Sequence, residues 1–538
     1  MLHVPRPKPR HGPSLTSDIG QLLRATGLSP EAARQRLSRL PENVHVLKGL
    51  PFPKRARFIF LEGQFGTEVF WTRLVEAVGS ASPAYAAALA GVRARGGIVT
   101  RKQFDIACGS PVRQDGQLSA ETVLERLRSV RLLHSEEIEG YGECIALDGA
   151  RGDLVARASL KARQITEDLL IEATRGWLGR MNWASPKATS IRNDATPQFA
   201  TFRFDICGPC YLRPLTRHQN NKINPGFLVA DIVLGARLDE QEVAPFIRKC
   251  EMLSYLKGIR PFMPMLIAEG FSPEALRACR SEGIVATTPE SLFGRDVARG
   301  LKDLLETLSR AGAVAATNPK KIEHLFTSLS SIEGAATNLR GALFELIVGH
   351  MVRSIEGGSI DIGDIARDLK TGEQREIDVR LVKERNVTII ECKGYQPTTT
   401  VTADEIDSWL KKKVPVIDRA HRQQPRFDGM PLTFEFWTCG TFDDDALQLL
   451  KETSERVQKY NLAWRDGTAV REYAKELKAA GIRKILDEHY FNHVLAQLPV
   501  TVEDLAIEVQ PQRNSRRRVE RLIVTEEDDG MARLLEEL

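Results

Sequence analysis

Residues 387–394 read V-T-I-I-E-C-K-G, and the fold is decided by this run and its flanks. Four β-branched residues in succession mark a strand buried on both faces. Side chains alternate along a strand, so Glu391 and Lys393 point to one face at its end. A buried acid and base without partners would be costly there, which argues for companions at the same point. Thirteen residues before Glu391, Asp378 lies in R-E-I-D-V (375–379), read as the start of a neighbouring hairpin strand. Further upstream, A-L-F-E-L-I-V-G-H-M-V (342–352) places Glu345 on an apolar helix. Downstream, a helix over 403–421 precedes the apolar strand within 430–447. This alternation is an α/β texture.

The same order occurs once before. L-L-I-E-A-T-R-G-W-L-G (169–179) parallels 342–352, each with a Glu followed four residues later by Gly. F-R-F-D-I (202–206) parallels 375–379, and F-L-V-A-D-I-V-L-G (227–235) parallels 387–394. A helix over 239–257 and a strand within 263–276 complete the set. Order and spacing agree over five elements, so we read two copies of one α/β domain, at 155–310 and 320–495. In the first copy Glu172, Asp205 and Asp231 take the acidic places, and Val233 stands where the second has Lys393. The first copy is therefore expected to be degenerate.

Carboxylates converging beside a lysine suit Mg2+, with Mn2+ able to substitute, because hard cations take oxygen ligands and keep several waters. The lysine orients or deprotonates one water, and the metal stabilises charge on a scissile phosphate. On Glu345, Asp378 and Glu391-Cys392-Lys393, residues 342–447 resemble the PD-(D/E)XK superfamily, the restriction-endonuclease-like nucleases. The resemblance implies metal binding by Asp378, Glu391 and the main-chain carbonyl of Cys392. It also implies a supporting metal or water contact from Glu345, and catalysis by Lys393. The proline of the family signature is missing, since Glu376-Ile377 precede Asp378. The plainer reading of Glu391 and Lys393 is a surface salt bridge.

The N-terminal region has a different character. Residues 1–60 carry eleven Lys and Arg against three acids, while the whole chain sums to only +4. Within 14–40 a helix from Thr16 or Ser17 to Thr26 ends at Gly27, and Ser29 caps a second helix with Pro30 in its first turn. Two strand-like runs follow, joined by a Pro- and Lys-rich turn. This reads as a winged helix-turn-helix over 1–65, with Arg34, Arg36 and Arg39 entering a major groove and Lys48, Lys54, Arg55 and Arg57 meeting phosphates. A weaker copy spans 66–150, with helices at 83–95, 100–107 and up to Val130, then a hairpin over 131–147. A small helical bundle that binds protein is the alternative.

Composition bounds the rest. A chain of 538 residues with 42% hydrophobic and 27% charged residues reads as a soluble multidomain protein. No run of 18 apolar residues occurs, so no membrane span or partner membrane is expected. The basic start lacks an apolar core, so no secretory leader is expected, and eight scattered cysteines fit a reduced, cytoplasmic setting. Cys207-Gly208-Pro209-Cys210 matches the thioredoxin tetrapeptide, but its flanks suggest a turn between strands. Lys411-Lys412-Lys413 and His421-Arg422 on one helix either grip phosphate or form a solvated face. After helices at 468–480 and 482–497, residues 496–538 read as a charged tail holding Arg516-Arg517-Arg518 and Glu526-Glu527-Asp528-Asp529.

The fold class expected is thus multidomain α/β: N-terminal winged-helix units followed by two restriction-endonuclease-like α/β domains, the first degenerate. The function expected is a Mg2+-dependent endonuclease acting on DNA, with restriction or phage defence as an analogy at fold level. Paired cuts would call for a homodimer or two sequential nicks. No Walker A motif is present, so ATPase activity or activation would come from a partner protein. A non-catalytic DNA-binding regulator or scaffold, and an RNA-directed nuclease, are the competing readings.

Overall fold

The computed structural model describes residues 12–150, 152–193, 196–219, 222–309, 318–329, 335–427 and 429–491. The charged tail expected over 496–538 and the basic residues before Gly12 lie outside the described residues.

Strand β1 (Ser14–Leu15) leads into α1 (Thr16–Ala25) and α2 (Pro30–Ser38). The turn between them needs Gly27, whose φ is +94°, and Ser29 Oγ accepts from Ala32 N at 3.2 Å to cap α2. β2 (Val44–Val46) and β3 (Phe58–Leu61) then complete a sheet of order β1-β3-β2, and α3 (Glu68–Ala81) sets Phe70 edge-on to Phe58. A second set follows: α4 (Pro83–Ala94), β4 (Ile98–Thr100), α5 (Arg101–Ala107), α6 (Ala120–Ser129) and the hairpin β5 (Leu133–Ile138) with β6 (Gly142–Leu147). Its sheet order, β4-β6-β5, repeats the first, and one apolar cluster runs from Phe58 and Phe70 through Tyr85 and Phe104 to Leu127.

Helix α7 (Leu154–Arg180) has 27 residues, which at 1.5 Å per residue is about 40 Å of rod. Ala156 and Leu160 near its start pack on Ile98, Cys144 and Ala146, whereas Leu169, Leu170 and Leu178 join the central core of the α/β region.

Two sheets of matching topology come next. The first contains β7 (Ser190–Ile191), β10 (Ile206–Cys210), β13 (Gly226–Leu238), β14 (Phe262–Phe271) and β15 (Val285–Thr287). Small hairpins β8 (Gln198–Phe199) with β9 (Phe202–Arg203), and β11 (Arg217–Gln219) with β12 (Lys222–Asn224), interrupt it. Helices α8 (Glu240–Ser254) and α9 (Pro273–Ser281) cover one face. Helices α10 (Pro289–Phe293), α11 (Arg295–Ser309), α12 (Pro319–Leu329) and α13 (Ala335–Glu356) lead to the second sheet. That sheet contains β16 (Ser359–Arg367), β17 (Gln374–Val382), β18 (Val387–Lys393), β20 (Leu432–Thr438) and β22 (Asn461–Arg465), with β19 (Thr400–Val401) and β21 (Thr441–Phe442) paired beside it. Its outer face is covered by α14 (Ala403–Ser408), a π-turn at Trp409–Lys413, α15 (Val414–Arg422) and α16 (Asp444–Arg456). The described chain ends with α17 (Gly467–Ala474), α18 (Ala480–Ile485) and a π-turn to Phe491.

The strand orders are β7-β10-β13-β14-β15 and β16-β17-β18-β20-β22. In each, two antiparallel pairings lead to a central strand that continues in parallel pairings. One core joins the two copies, with Ile232 and Met265 from the first sheet, Val379 and Ile390 from the second, and Leu170, Leu304, Leu343 and Ile347 from helices. Mixed α/β architecture across several units is therefore what these residues form. Among the described residues no helix is long and apolar enough to cross a membrane.

Two local expectations are corrected. Cys207 and Cys210 lie within strand β10 rather than in a turn, and they point to opposite faces, Cys207 toward Val229 and Cys210 toward Ile191. A three-residue spacing on a strand must do this. His421 is buried and stacks on Phe427 at 4.6 Å. Burial and the nearby Arg380 push its pKa down to about 4, so it is no phosphate-gripping cation.

Candidate active site

The antiparallel ladder between β17 and β18 stops at Val379–Ile390. The next strand amide, Cys392 N–H, donates instead to Asp378 Oδ2 at 2.7 Å, so a side chain takes over where the backbones part. Glu391 and Lys393 share this end of β18, with Lys393 Nζ 2.8 Å from Glu391 Oε1. From the π-turn, Lys413 Nζ reaches Glu391 Oε2 at 2.5 Å and Asp378 Oδ1 at 3.2 Å. One ammonium thus bridges carboxylates from two strands. Glu345 on α13 faces a second ammonium, Lys161 of α7, at 3.2 Å, and Lys161 also lies 2.6 Å from Glu376 Oε1.

The charges shape one another. Burial presses Asp378 upward, but Lys413, Lys393, Lys161 and the Cys392 amide hold it below the ordinary carboxylate value. Burial pushes Glu345 up to about 8, and Asp378 and Glu376 add to this against the pull of Lys161. For Lys393, burial opposes the charge, yet Glu391 and Asp378 prevail and raise its pKa above that of a free lysine. In this setting Lys393 is an ammonium, able to donate but not to accept a proton.

Among the described residues, no three or more His, Cys, Asp or Glu gather closely enough to hold a metal as they stand. Two carboxylates nevertheless meet at one cation, Lys413. A donor set of Asp378, Glu391 and the Cys392 carbonyl fits Mg2+, which takes one or two carboxylates and keeps waters. Lys413 would have to withdraw to admit it.

The first sheet repeats the geometry with different chemistry. Asp205 Oδ2 accepts from Ile232 N at 2.8 Å, the counterpart of the Asp378–Cys392 bond. Lys249 of α8 lies 2.5 Å from Asp231 Oδ2, as Lys413 does from Glu391. Val233, in the place of Lys393, is buried in the apolar cluster under α8. Beside Lys249, the remaining cations are arginines. Arg192 binds Asp205 at 2.8 Å, Glu167 at 3.1 Å and Asp168 at 3.2 Å, and Arg95 Nη2 is 3.4 Å from the Ile232 carbonyl. Burial pushes Asp231 up to about 6 against the pull of Lys249. Glu172, expected as the helix acid, pairs with Arg175 at 2.6 Å, one turn along. Glu167 is the α7 acid that meets Asp205 through Arg192.

Among the N-terminal cations, Arg34, Arg36, Arg39, Lys48, Lys54 and Arg55 are exposed. Lys54 and Arg55 have φ of 53° and 59°, a left-handed conformation that costs non-glycine residues energy. Arg57 is the exception to the phosphate expectation: it is half-buried, and its Nη2 donates to Leu37 O at 2.5 Å, tying β3 to α2.

Sequence reasoning missed Lys161 and Glu376, and it read Lys413 as gripping phosphate or lying on a solvated face, whereas its ammonium lies between Asp378 and Glu391. Gly394, directly after Lys393, is also part of the geometry: a Cβ there would lie 2.5 Å from Arg340 O and 2.8 Å from Phe344 Cβ, both on α13. Gly394→Ala should therefore destabilise the protein by about 1–3 kcal/mol, measured by denaturant unfolding. A change under a few tenths would show that α13 yields freely.

No family model and no curated protein matches this chain. Comparison with solved structures finds the restriction endonuclease FokI, at 10% identity over 85% of this chain and 82% of that one. The TM-score is 0.17, a level at which the likeness carries no argument.

Proposed function

We propose that the β17–β18 cluster is the hydrolytic centre of a metal-dependent endonuclease acting on DNA. The observation that carries this reading is the single cation point shared by Asp378 and Glu391, with Lys393 beside it. Asp378, Glu391 and the Cys392 carbonyl would hold Mg2+, or Mn2+ in its place, which when bound supplies positive charge at the scissile phosphate and a more acidic water. Lys393 orients the attacking water, and Glu345, fixed by Lys161, accepts a hydrogen bond from the solvent shell behind it. The first sheet contributes no chemistry, since Arg192 and Arg95 neutralise Asp205, Lys249 neutralises Asp231, and no lysine stands in the place of Lys393.

DNA as substrate is supported by the N-terminal modules. Helix, strand, two helices and a hairpin with sheet order β4-β6-β5 is the order of a winged helix, and the first set repeats the sheet with α3 packed behind it. The first set carries six exposed cations, none with an ion-pair partner among the described residues, which are free to meet phosphates. Replacing Arg34, Arg36 and Arg39 together by Ala should weaken duplex binding and reduce the slope of log affinity against log salt by about 2 to 3. An unchanged slope would remove this face from the interface. A cytoplasmic setting, a role in restriction or phage defence, a homodimer for paired cuts, and a partner supplying ATPase activity or activation are compatible extensions.

The test is cleavage of plasmid, linear duplex, single-stranded DNA and RNA with Mg2+, beside Asp378→Asn. Cutting of DNA by the wild type and not by the variant supports the reading. Cutting of RNA alone moves the substrate class. Duplex binding without any cutting favours a non-catalytic scaffold.

A further inference from the structure

The β5–β6 hairpin does not end in solvent. Its turn, Glu139-Gly140-Tyr141, projects onto β17 beside the acid and lysine cluster, 237 residues away in sequence. Glu139 Oε2 accepts the backbone N–H of Glu376 at 2.8 Å, two residues before Asp378. Its other oxygen lies 3.8 Å from Arg375 Nε. The positive charge of Lys413 acts on the same carboxylate. The hairpin is anchored further back, where Glu136 pairs with Arg157 at 2.9 Å and accepts from Gly152 N at 3.3 Å.

A backbone amide and a guanidinium beside one anion are groups that receive phosphodiester oxygens. Here they receive a glutamate of the chain itself. Were the hairpin only a structural brace, an apolar or neutral tip would seat there without placing a negative charge beside Glu376. The Glu139 side chain keeps 39% of its exposure, and ion pairs at such exposure are weak enough to exchange for another anion.

We propose that Glu139 occupies a phosphodiester-binding subsite formed by the Glu376 amide and Arg375, and that a nucleic-acid backbone enters the site by displacing it. The inference rests on reading the cluster as a phosphodiester site. It adds an anion subsite on the β17 side and a resident competitor contributed by the second N-terminal module. The hairpin also carries Glu137, exposed on the same strand, which provides a charge-matched control.

The experiment measures binding of a short fluorescein-labelled DNA duplex to the full chain by anisotropy, in EDTA so that no cleavage occurs. Glu139→Ala and Glu139→Gln should each bind about threefold to fivefold more tightly than wild type, whereas Glu137→Gln should not. Adding Arg375→Ala to Glu139→Ala should cancel the gain, because the vacated subsite then lacks its guanidinium. Thermal melting of each variant confirms that it is folded, and Glu139→Gln retains the acceptor for the Glu376 amide. Equal or weaker binding by both Glu139 variants would overturn the proposal, as would a gain that survives Arg375→Ala or is matched by Glu137→Gln. Tighter binding by variants that cut no nucleic acid would support the subsite while sinking the nuclease reading, so the two fail separately.

Discussion

Lys393→Ala should cleave plasmid DNA about 10²- to 10⁴-fold more slowly than wild type, the range for loss of a group that positions or transfers a proton. Its ammonium is 2.8 Å from Glu391 and 31% exposed, so the fold does not depend on it. Glu391 keeps Lys413 at 2.5 Å, and no carboxylate is left buried and alone. Duplex affinity should therefore stay within about twofold, because the loss falls on the transition state rather than on binding. Asp378→Asn is the complementary variant. An amide oxygen can still accept from Cys392 N, preserving the end of β18, while the charge needed for Mg2+ disappears. It should lose both cleavage and Mn2+ binding by titration, whereas Lys393→Ala should lose cleavage alone. Cleavage within tenfold of wild type in either variant would sink the assignment of this centre.

The second large effect belongs to the first sheet. Arg192→Ala should lower the free energy of unfolding by about 3–5 kcal/mol, the cost of removing one partner from a buried ion cluster. Arg192 reaches Asp205, Glu167 and Asp168 at 2.8, 3.1 and 3.2 Å, and the first two have fully buried side chains. Without the guanidinium, those acids stay in a place where water cannot reach them. Arg192→Lys should recover only part of the loss, because a single ammonium cannot reproduce the fork that reaches three carboxylates. Guanidinium unfolding of the purified chain reads this directly. A loss below about 1 kcal/mol would mean that water or Arg95 takes over the acids.

How much of this was readable beforehand depended on sequence distance. The E-C-K strand declared itself because alternation on a buried strand leaves few places for Glu391 and Lys393, and Asp378 lies on the adjoining hairpin strand. The repeat was readable because five elements recur in order, and the register places Asp205 and Asp231 as counterparts of Asp378 and Glu391. The helix acid was not. The stretch around Glu172 resembles that around Glu345, but Glu167 lies five residues earlier on α7, about 140° around the helix, and only packing selects between them. Lys413 was hidden among three adjacent lysines, and the π-turn decides that it points inward while Lys411 pairs outward with Asp407. Lys161 and Glu139 had no local signal at all. They arrive from 184 and 237 residues away, brought by α7 and by a hairpin of a different module.

The apolar cluster common to both sheets has a consequence for how such a chain can vary from one generation to the next. Substitutions at Asp205 or Val233 leave Ile232, Leu228 and Met265 in place, still backing the helices against which Val379 and Ile390 rest. Substitutions that erode those apolar residues would reach the second half through the same interior. Heredity is thus obliged to keep the shape of the first half for the sake of the second. A gene of this kind should shed reactive side chains far sooner than it sheds length.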